Sequence, residues 1–362
     1  MKIIIISGFF YPQNTPRAFR TTELVKEFVR LGHNVTLFVP EMEYNLSDFL
    51  RTFPITVKYY QEMPERRKFV GISIVDRAIF HYEHWLINSP SLSSMRNVQQ
   101  AVRGELGYDL LITIAVPHYI HWAVGKIYAK DHKIAKTWVA DCGDPFMLAE
   151  TDTHKPPFWF KPLEKEWCRQ CDYISVPTEM SYMGYYPEFR NKIQVIPQGF
   201  NFEDISIPVY KKNEVPTFAF AGNLIKNKRD PRLFMDWLST IDMPFLFWAY
   251  GNNVRPFLEP YQRRLGEKLV IKDPIPRDQL LPLLAKMDFL INIGNGTKVQ
   301  TPSKLIDYSL SKRPIITIES DDIKTDFMME FFNGNYSHKD NEIDISKYNI
   351  HNVAQHFLDL TD

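Results

Sequence analysis

Apolar runs with no polar face recur along this chain. Each is followed by a turn and then by a stretch of helical periodicity. Residues 2–7 (KIIIIS) are the first, a β-branched run that reads as a strand buried on both faces. Gly8 ends it. After the loop FFYPQNT, Thr15 stands as an N-cap with Pro16 at the first helical position. Phe19, Val25, Phe28 and Val29 supply that helix with a broad apolar side. Gly32 falls at C′, where a left-handed residue is wanted, and 35–39 is the next strand. Strand, helix and strand in that order make a parallel pair with a right-handed crossover. The same reading predicts strands at 55–59, 110–115, 137–140, 173–176 and 194–196, then at 217–221, 245–250, 269–271, 289–293 and 315–318. Helices are expected from Pro231 behind the cap Asp230, from the cap Asp278 through Lys286, from Pro302 to about Lys312, and over 353–360.

Regular patterning fades over 197–216 (PQGFNFEDISIPVYKKNEVP), where proline and charge mark a boundary. The fold class is therefore α/β, with two doubly wound parallel sheets. The first domain covers 1–205 and the second 206–350, and a closing helix at 351–362 returns to the first. A length of 362 residues agrees with two domains.

Composition narrows the function. Lys plus Arg is 43 and Asp plus Glu is 43, so no basic excess favours a nucleic-acid partner. Three cysteines, an odd number, suggest reduced thiols and a cytoplasmic setting. The opening apolar run is too short for a signal peptide. No apolar run approaches the roughly 18 residues that span a bilayer. Cys168 and Cys171 form a CxxC with no second pair, fewer than the roughly four ligands of a zinc site, so they are expected in the core. No metal site is expected. Residues 64–86 are basic at first and then rich in Phe, Ile and Trp. They read either as a helix covering the sheet or as a peripheral membrane contact.

In sheets of this kind the ligand crevice lies beyond the C-terminal strand ends. Residues just after the strands are therefore the candidates. In the first half these are Gly8, His118, Asp141 and Asp144, with Arg17 and Arg20 in the first helical turns beside them. His118 reads as a base or donor toward substrate, or as a plain loop histidine. Asp141 and Asp144 read as acceptor-side carboxylates or a general base, or as an Asx turn into Pro145. Only Gly8 of a GxGxxG fingerprint is present, which turns the reading away from NAD.

In the second half, Gly222 ends a strand and NLIKNKR follows, so Lys226, Lys228 and Arg229 crowd one turn. Such cations suit a diphosphate leaving group. The stretch 291–318 (INIGNGTKVQTPSKLIDYSLSKRPIITI) reads as strand, loop, helix, strand. Thr301 caps that helix, and the N–H groups of Ser303 and Lys304 face outward at its positive end, a setting for phosphate. Ser303 and Asp307 share one face, which places a carboxylate one turn deeper, in reach of ribose hydroxyls. The alternative is an ordinary capped helix.

Several pieces stand in a familiar order: MKIIIISGFFYP, GHNVTLF at 32–38, DCGDPF at 141–146, VIPQGFN at 195–201, FAGNL at 220–224 and TPSKLIDYSLSKRPII at 301–316. Over nearly its whole length the chain resembles the GT-B glycosyltransferases, in particular the group-1, GT4-like branch of bacterial surface polysaccharide synthesis. The resemblance implies two Rossmann-like domains facing a cleft. It implies a nucleotide-diphosphate sugar as donor, a glycan or lipid-linked glycan as acceptor, no cofactor, and a retaining, metal-independent transfer on the inner face of the membrane. Taken with the strand ends and the capped helix end, it gives donor contacts at Gly8, Gly222, Asn223, Lys228, Arg229, Gly251, Pro274, Thr301, Ser303, Lys304 and Asp307. The strand-end positions make Arg17, Arg20 and His118 acceptor-side, and they give His118, Asp141 and Asp144, with Arg229, as the catalytic candidates. Asn223 stands where the family often has arginine, and Asp307 matches the second glutamate of its E-x7-E motif. Val299 stands in place of the first glutamate. Two other readings remain: a sugar-nucleotide epimerase on the same scaffold, and a non-catalytic sugar-nucleotide-binding subunit.

Overall fold

The computed structural model describes residues 1–361 apart from 42, 63–90, 131, 149–155, 204–205, 295–302 and 342. The expectations for Thr301, Pro302 and the 64–86 segment lie outside the described residues. The chain forms two compact units: Met1–Asn201 with Lys347–Asp362, and Phe202–Ser346.

The first unit holds a seven-stranded sheet in the order β3-β2-β1-β4-β5-β6-β7. Its strands are β1 (Lys2–Ser7), β2 (Asn34–Pro40), β3 (Thr56–Tyr60), β4 (Tyr108–Ala115), β5 (Ala135–Cys142), β6 (Tyr173–Val176) and β7 (Ile193–Val195). All pairings are parallel, with Ile3 opposite both Val35 and Leu110. The β-branched run of β1 explains itself in the packing. Ile3 and Ile5 point into one core, under the helices Pro16–Arg30 and Ile350–Asp359. Ile4 and Ile6 point into another, under Ser91–Val102, Tyr119–Tyr128 and Lys161–Gln170. A strand covered on both sides needs no polar face.

The second unit holds a five-stranded parallel sheet in the order β10-β9-β8-β11-β12. The strands are β8 (Thr217–Ala221), β9 (Leu246–Tyr250), β10 (Leu269–Lys272), β11 (Phe289–Ile293) and β12 (Ile315–Ile318). One face is a stack of phenylalanines, with Phe218 lying flat on Phe289 at 4.7 Å and on Phe247 at 5.1 Å. Both sheets reverse direction of growth once, between β1 and β4 and between β8 and β11. At such a switch the loops leave on opposite faces and open a crevice.

The first helix is built as its sequence reads. The Ala18 N–H donates to Thr15 Oγ1 at 3.2 Å, Pro16 opens the helix, and Gly32 takes φ +79° after its end. Phe19 is a correction. It is 50% exposed and does not join the apolar side, because that face is complete with Ala18, Leu24, Val25 and Phe28. Asp278 is not a cap either: helix Arg277–Leu284 starts after Pro276, whose fixed φ suffices to turn the chain, and it ends before Lys286. Helix Arg232–Leu238 begins one residue later than expected, with Asp230 accepting from the Arg232 N–H at 3.2 Å. Helix Ser303–Leu310 stops short of Lys312, whose φ of +56° cannot continue it. Helix Thr325–Phe332 has no counterpart in the sequence reading.

The C-terminal helix Ile350–Asp359 closes the first unit. Val353, Ala354 and Phe357 are fully buried in the core beneath β1. The Ile350 N–H donates to Phe200 O at 2.9 Å, and Gly199 leaves room for the Ile350 side chain.

Candidate functional site

At the C-terminal edge of the first sheet the turns after β1 and β4 touch. A Cβ on Gly8 would come within 2.3 Å of Pro117 Cδ, so only glycine allows that approach. Asp141 is not a loop residue as expected, because β5 runs through Cys142. Its carboxylate is gripped by Arg20, with Nη2 to Oδ1 at 2.8 Å and Nε to Oδ2 at 3.2 Å, and it also accepts from the Ser175 hydroxyl. Arg20 spends its remaining donors on the carbonyls of Ile196 and Pro197. Both side chains are only 3% exposed. Burial pushes the Asp141 pKa up, and the Arg20 charge and hydrogen bonds, with help from Arg17, more than offset it, so the carboxyl stays ionised. The network ties the ends of β5, β6 and β7 to the first helix.

Arg17 reaches the same carboxylate only at 3.5 Å and stays 20% exposed. Its guanidinium lies on Gly143, where a Cβ would come within 2.3 Å of it. His118 follows, half-buried, its ring 5.1 Å from Phe146. Burial and then the Arg17 charge lower its pKa to about 4, so it is neutral at pH 7. Behind it His121 Nε2 sits 3.3 Å from Cys142 Sγ, fully buried. Asp144 is exposed just past this group. The cysteines are free and buried, as core residues are. Among the described residues no cluster of His, Cys, Asp or Glu is able to hold a metal ion.

The second edge is assembled differently. Gly222, with φ +147°, follows β8, and Gly251 follows β9; a Cβ on Gly251 would come within 2.1 Å of the Gly222 carbonyl. These two turns pack backbone to backbone. Into the space beside them the helix Ser303–Leu310 sends Lys304. Its Nζ lies 3.4 Å from the Ile293 carbonyl at the end of β11 and over the Phe220 ring at 5.0 Å. Burial and then the nearby Arg229 charge lower the Lys304 pKa to about 7. One turn on, Asp307 Oδ1 accepts from Arg277 Nε at 2.6 Å. Burial raises the Asp307 pKa, against the pull of Arg277. Tyr308 rivets the helix down: its hydroxyl accepts the Ala221 N–H at 2.7 Å and donates toward Ile291 O at 3.2 Å. Asn223 and Lys228 are exposed on the turn that ends at Arg229. Pro274 stands exposed past β10, the outermost strand.

Of the expected donor residues, the structure therefore gathers Gly222, Gly251, Arg229, Lys304 and Asp307 at one edge, with Asn223 and Lys228 on its rim. In the first unit it gathers Gly8, Arg17, Arg20, His118 and Asp141. Sequence reasoning missed Arg277, which orients Asp307, and Glu319, whose carboxylate lies over Gly294 at the end of β11. The first announces itself only through Asp307, thirty positions away. The second was open to discovery by the rule already applied elsewhere, since Glu319 directly follows β12.

No family model matches the chain, and no curated protein does. Solved structures do. Anabaena HepE in complex with UDP matches with a TM-score of 0.59 at 10% identity, over 99% of this chain and 99% of that one. The lipopolysaccharide outer core galactosyltransferase WaaB, in its apo form, matches with a TM-score of 0.59 at 12% identity, again over 99% of each chain. A mutant of S. aureus TarM in complex with fondaparinux, α-GlcNAc-glycerol and UDP matches with a TM-score of 0.55 at 11% identity over 100% of both. These likenesses show the fold: the two-sheet GT-B architecture expected from the sequence is the one the chain has.

Proposed function

We propose that the protein is a glycosyltransferase that takes a sugar from a nucleotide diphosphate and passes it to an acceptor hydroxyl. The observation that carries this reading is the meeting of Lys304 and Arg229 at the β8/β11 switch. Burial first, and after it repulsion from the Arg229 charge, lower the Lys304 pKa to about 7. A diphosphate settling there would relieve that repulsion, and the positive end of helix Ser303–Leu310 points the same way. Asp307, oriented by Arg277, is one turn deeper, in position to accept from ribose hydroxyls. UDP is the first nucleotide to test, since HepE and the TarM mutant are each described with UDP bound.

The chemistry follows from those charges. As the bond from the sugar carbon to the diphosphate oxygen breaks, Lys304 and Arg229 stabilise the growing negative charge. The acceptor oxygen bonds to the sugar carbon on the face the phosphate leaves, so the transfer is retaining. Its proton passes to the departing phosphate oxygen, and Lys304 and Arg229 take the charge-neutralising part a metal would otherwise play. On the first unit, neutral His118 accepts a hydrogen bond from the acceptor, and Arg20 and Asp141 fix the strand ends that present it. A glycan or lipid-linked glycan of surface polysaccharide synthesis is the acceptor class we propose, met in the cytoplasm at the inner face of the membrane.

Isothermal titration with UDP tests the reading. Wild type binds, and Lys304→Met weakens binding by about 1.5–3 kcal/mol, the worth of a charge-assisted contact. Equal UDP affinity in the two proteins, or none in wild type, overturns it. With donor and acceptor supplied, release of UDP with a new glycoside marks a transferase, whereas an epimerised sugar nucleotide marks an isomerase.

A further inference from the structure

The peptide between Ile293 and Gly294, at the end of β11, is flanked by opposite charges. Lys304 Nζ lies 3.4 Å from its carbonyl oxygen. The Glu319 carboxylate lies over Gly294, where a Cβ would meet Oε2 at 2.3 Å and Oε1 at 2.4 Å. Any residue but glycine at 294 would have to push that carboxylate aside. The two charged groups nevertheless form no ion pair with each other, and the Glu319 side chain has no hydrogen-bond or ion-pair partner among the described residues. Three carboxylates around this edge are paired, whereas Asp321, which lines the same hollow as Glu319, has no hydrogen-bond or ion-pair partner among the described residues. Asp230 is bound by Arg232 at 2.6 Å, Asp273 by Arg255 at 3.3 Å and Asp307 by Arg277 at 2.6 Å.

The backbone under Glu319 is firmly held. The Gly294 N–H donates to Ile318 O at 2.9 Å and the Glu319 N–H to Asp322 O at 3.0 Å. Ser320 accepts from the Asp230 N–H at 2.9 Å and donates to the Lys228 carbonyl, which staples the turn after β12 to the turn after β8. Glu319 also lines, with Asn227 and Lys228, a hollow of about 460 Å³. A firmly held backbone and an exposed carboxylate with no protein partner among the described residues leave Glu319 open to hydroxyl donors.

We infer that Glu319 is the carboxylate that reads the sugar of the donor, accepting hydrogen bonds from its hydroxyls while the diphosphate rests on Lys304. This rests on the donor reading above, and it makes Gly294 a positioning residue for Glu319.

The test is isothermal titration with UDP, UDP-glucose, UDP-galactose and UDP-N-acetylglucosamine against wild type, Glu319→Gln, Glu319→Ala, Gly294→Ala and the double variant Glu319→Ala/Gly294→Ala, each checked by its melting temperature. Glu319→Gln keeps the shape and is expected to weaken the best-bound sugar nucleotide about tenfold while leaving UDP unchanged. Gly294→Ala does the same in wild type and adds nothing when Glu319 is already alanine. Equal effects on UDP and its sugars, no effect on either, or a Gly294→Ala loss that persists without Glu319 overturns the inference. Absence of UDP binding in wild type instead removes the donor reading beneath it, so the two failures are distinguishable.

Discussion

The two units solve the same topological problem with opposite electrostatics. Each carries a parallel sheet with one switch, and each gathers charged side chains at the C-terminal edge beside it. In the first unit the charges neutralise one another. Arg20 and Asp141 are buried as a pair, their hydrogen bonds are taken up by Ser175 and two carbonyls, and His118 is kept uncharged. In the second, burial first and the Arg229 charge second lower the proton affinity of Lys304. A satisfied edge offers shape and neutral hydrogen-bonding groups, whereas a frustrated edge offers binding energy to an anion. Under the proposed function, the first edge takes a polyhydroxyl acceptor and the second a nucleotide diphosphate.

Breaking the satisfied edge should do the greatest damage to folding. Arg20→Ala strands a buried carboxylate and is expected to cost about 3–5 kcal/mol of stability, measured by urea unfolding. A loss below about 1 kcal/mol would mean that the pair is solvated and the contrast false. Lys304→Met should act in reverse. It removes a repulsion, so stability holds or rises while UDP affinity drops by about 1.5–3 kcal/mol.

A pH series sharpens the contrast. The Lys304 pKa falls from an ordinary 10.5 to about 7 in the folded protein. Between those values the unfolded chain holds a proton there that the native state has released. Stability from this group therefore increases as pH rises from about 7 toward 10.5. Affinity for UDP should decline as pH climbs past about 7, and Lys304→Arg, which stays charged, should flatten that decline. His118 should stay neutral until pH falls to about 4, visible as the absence of any shift in its ring proton resonances across neutral pH. The smallest effect belongs to neither edge: Thr15→Ala loses one cap and about 1 kcal/mol, a control for general damage to the first unit.

Much of the fold was legible because buried parallel strands write themselves as contiguous apolar runs. The expected bounds of β6, β8, β11 and β12 coincide with those observed. Helices were less legible. Thr325–Phe332 carries apolar residues on several sides and lacks a side-chain cap, so no boundary signal stood out. Phe19 has the right spacing but a face already filled. At the sites, positions after strands were readable and partnerships were not. Arg20 and Asp141 are separated by 121 positions, and nothing local distinguishes a carboxylate clasped by arginine from one awaiting a ligand. Glu319 was readable by its place directly after β12, whereas its approach to the bare Cα of Gly294 is a fact of space rather than of order along the chain.

The return of the helix Ile350–Asp359 to the first unit has a consequence for biogenesis. The second unit is, in chain topology, an insert within the first. Val353 and Phe357 are translated only after the whole insert, so a nascent first unit emerges with part of its β1 core still open to solvent. Until that last segment arrives, the exposed surface is one that a ribosome-associated chaperone would be expected to shield.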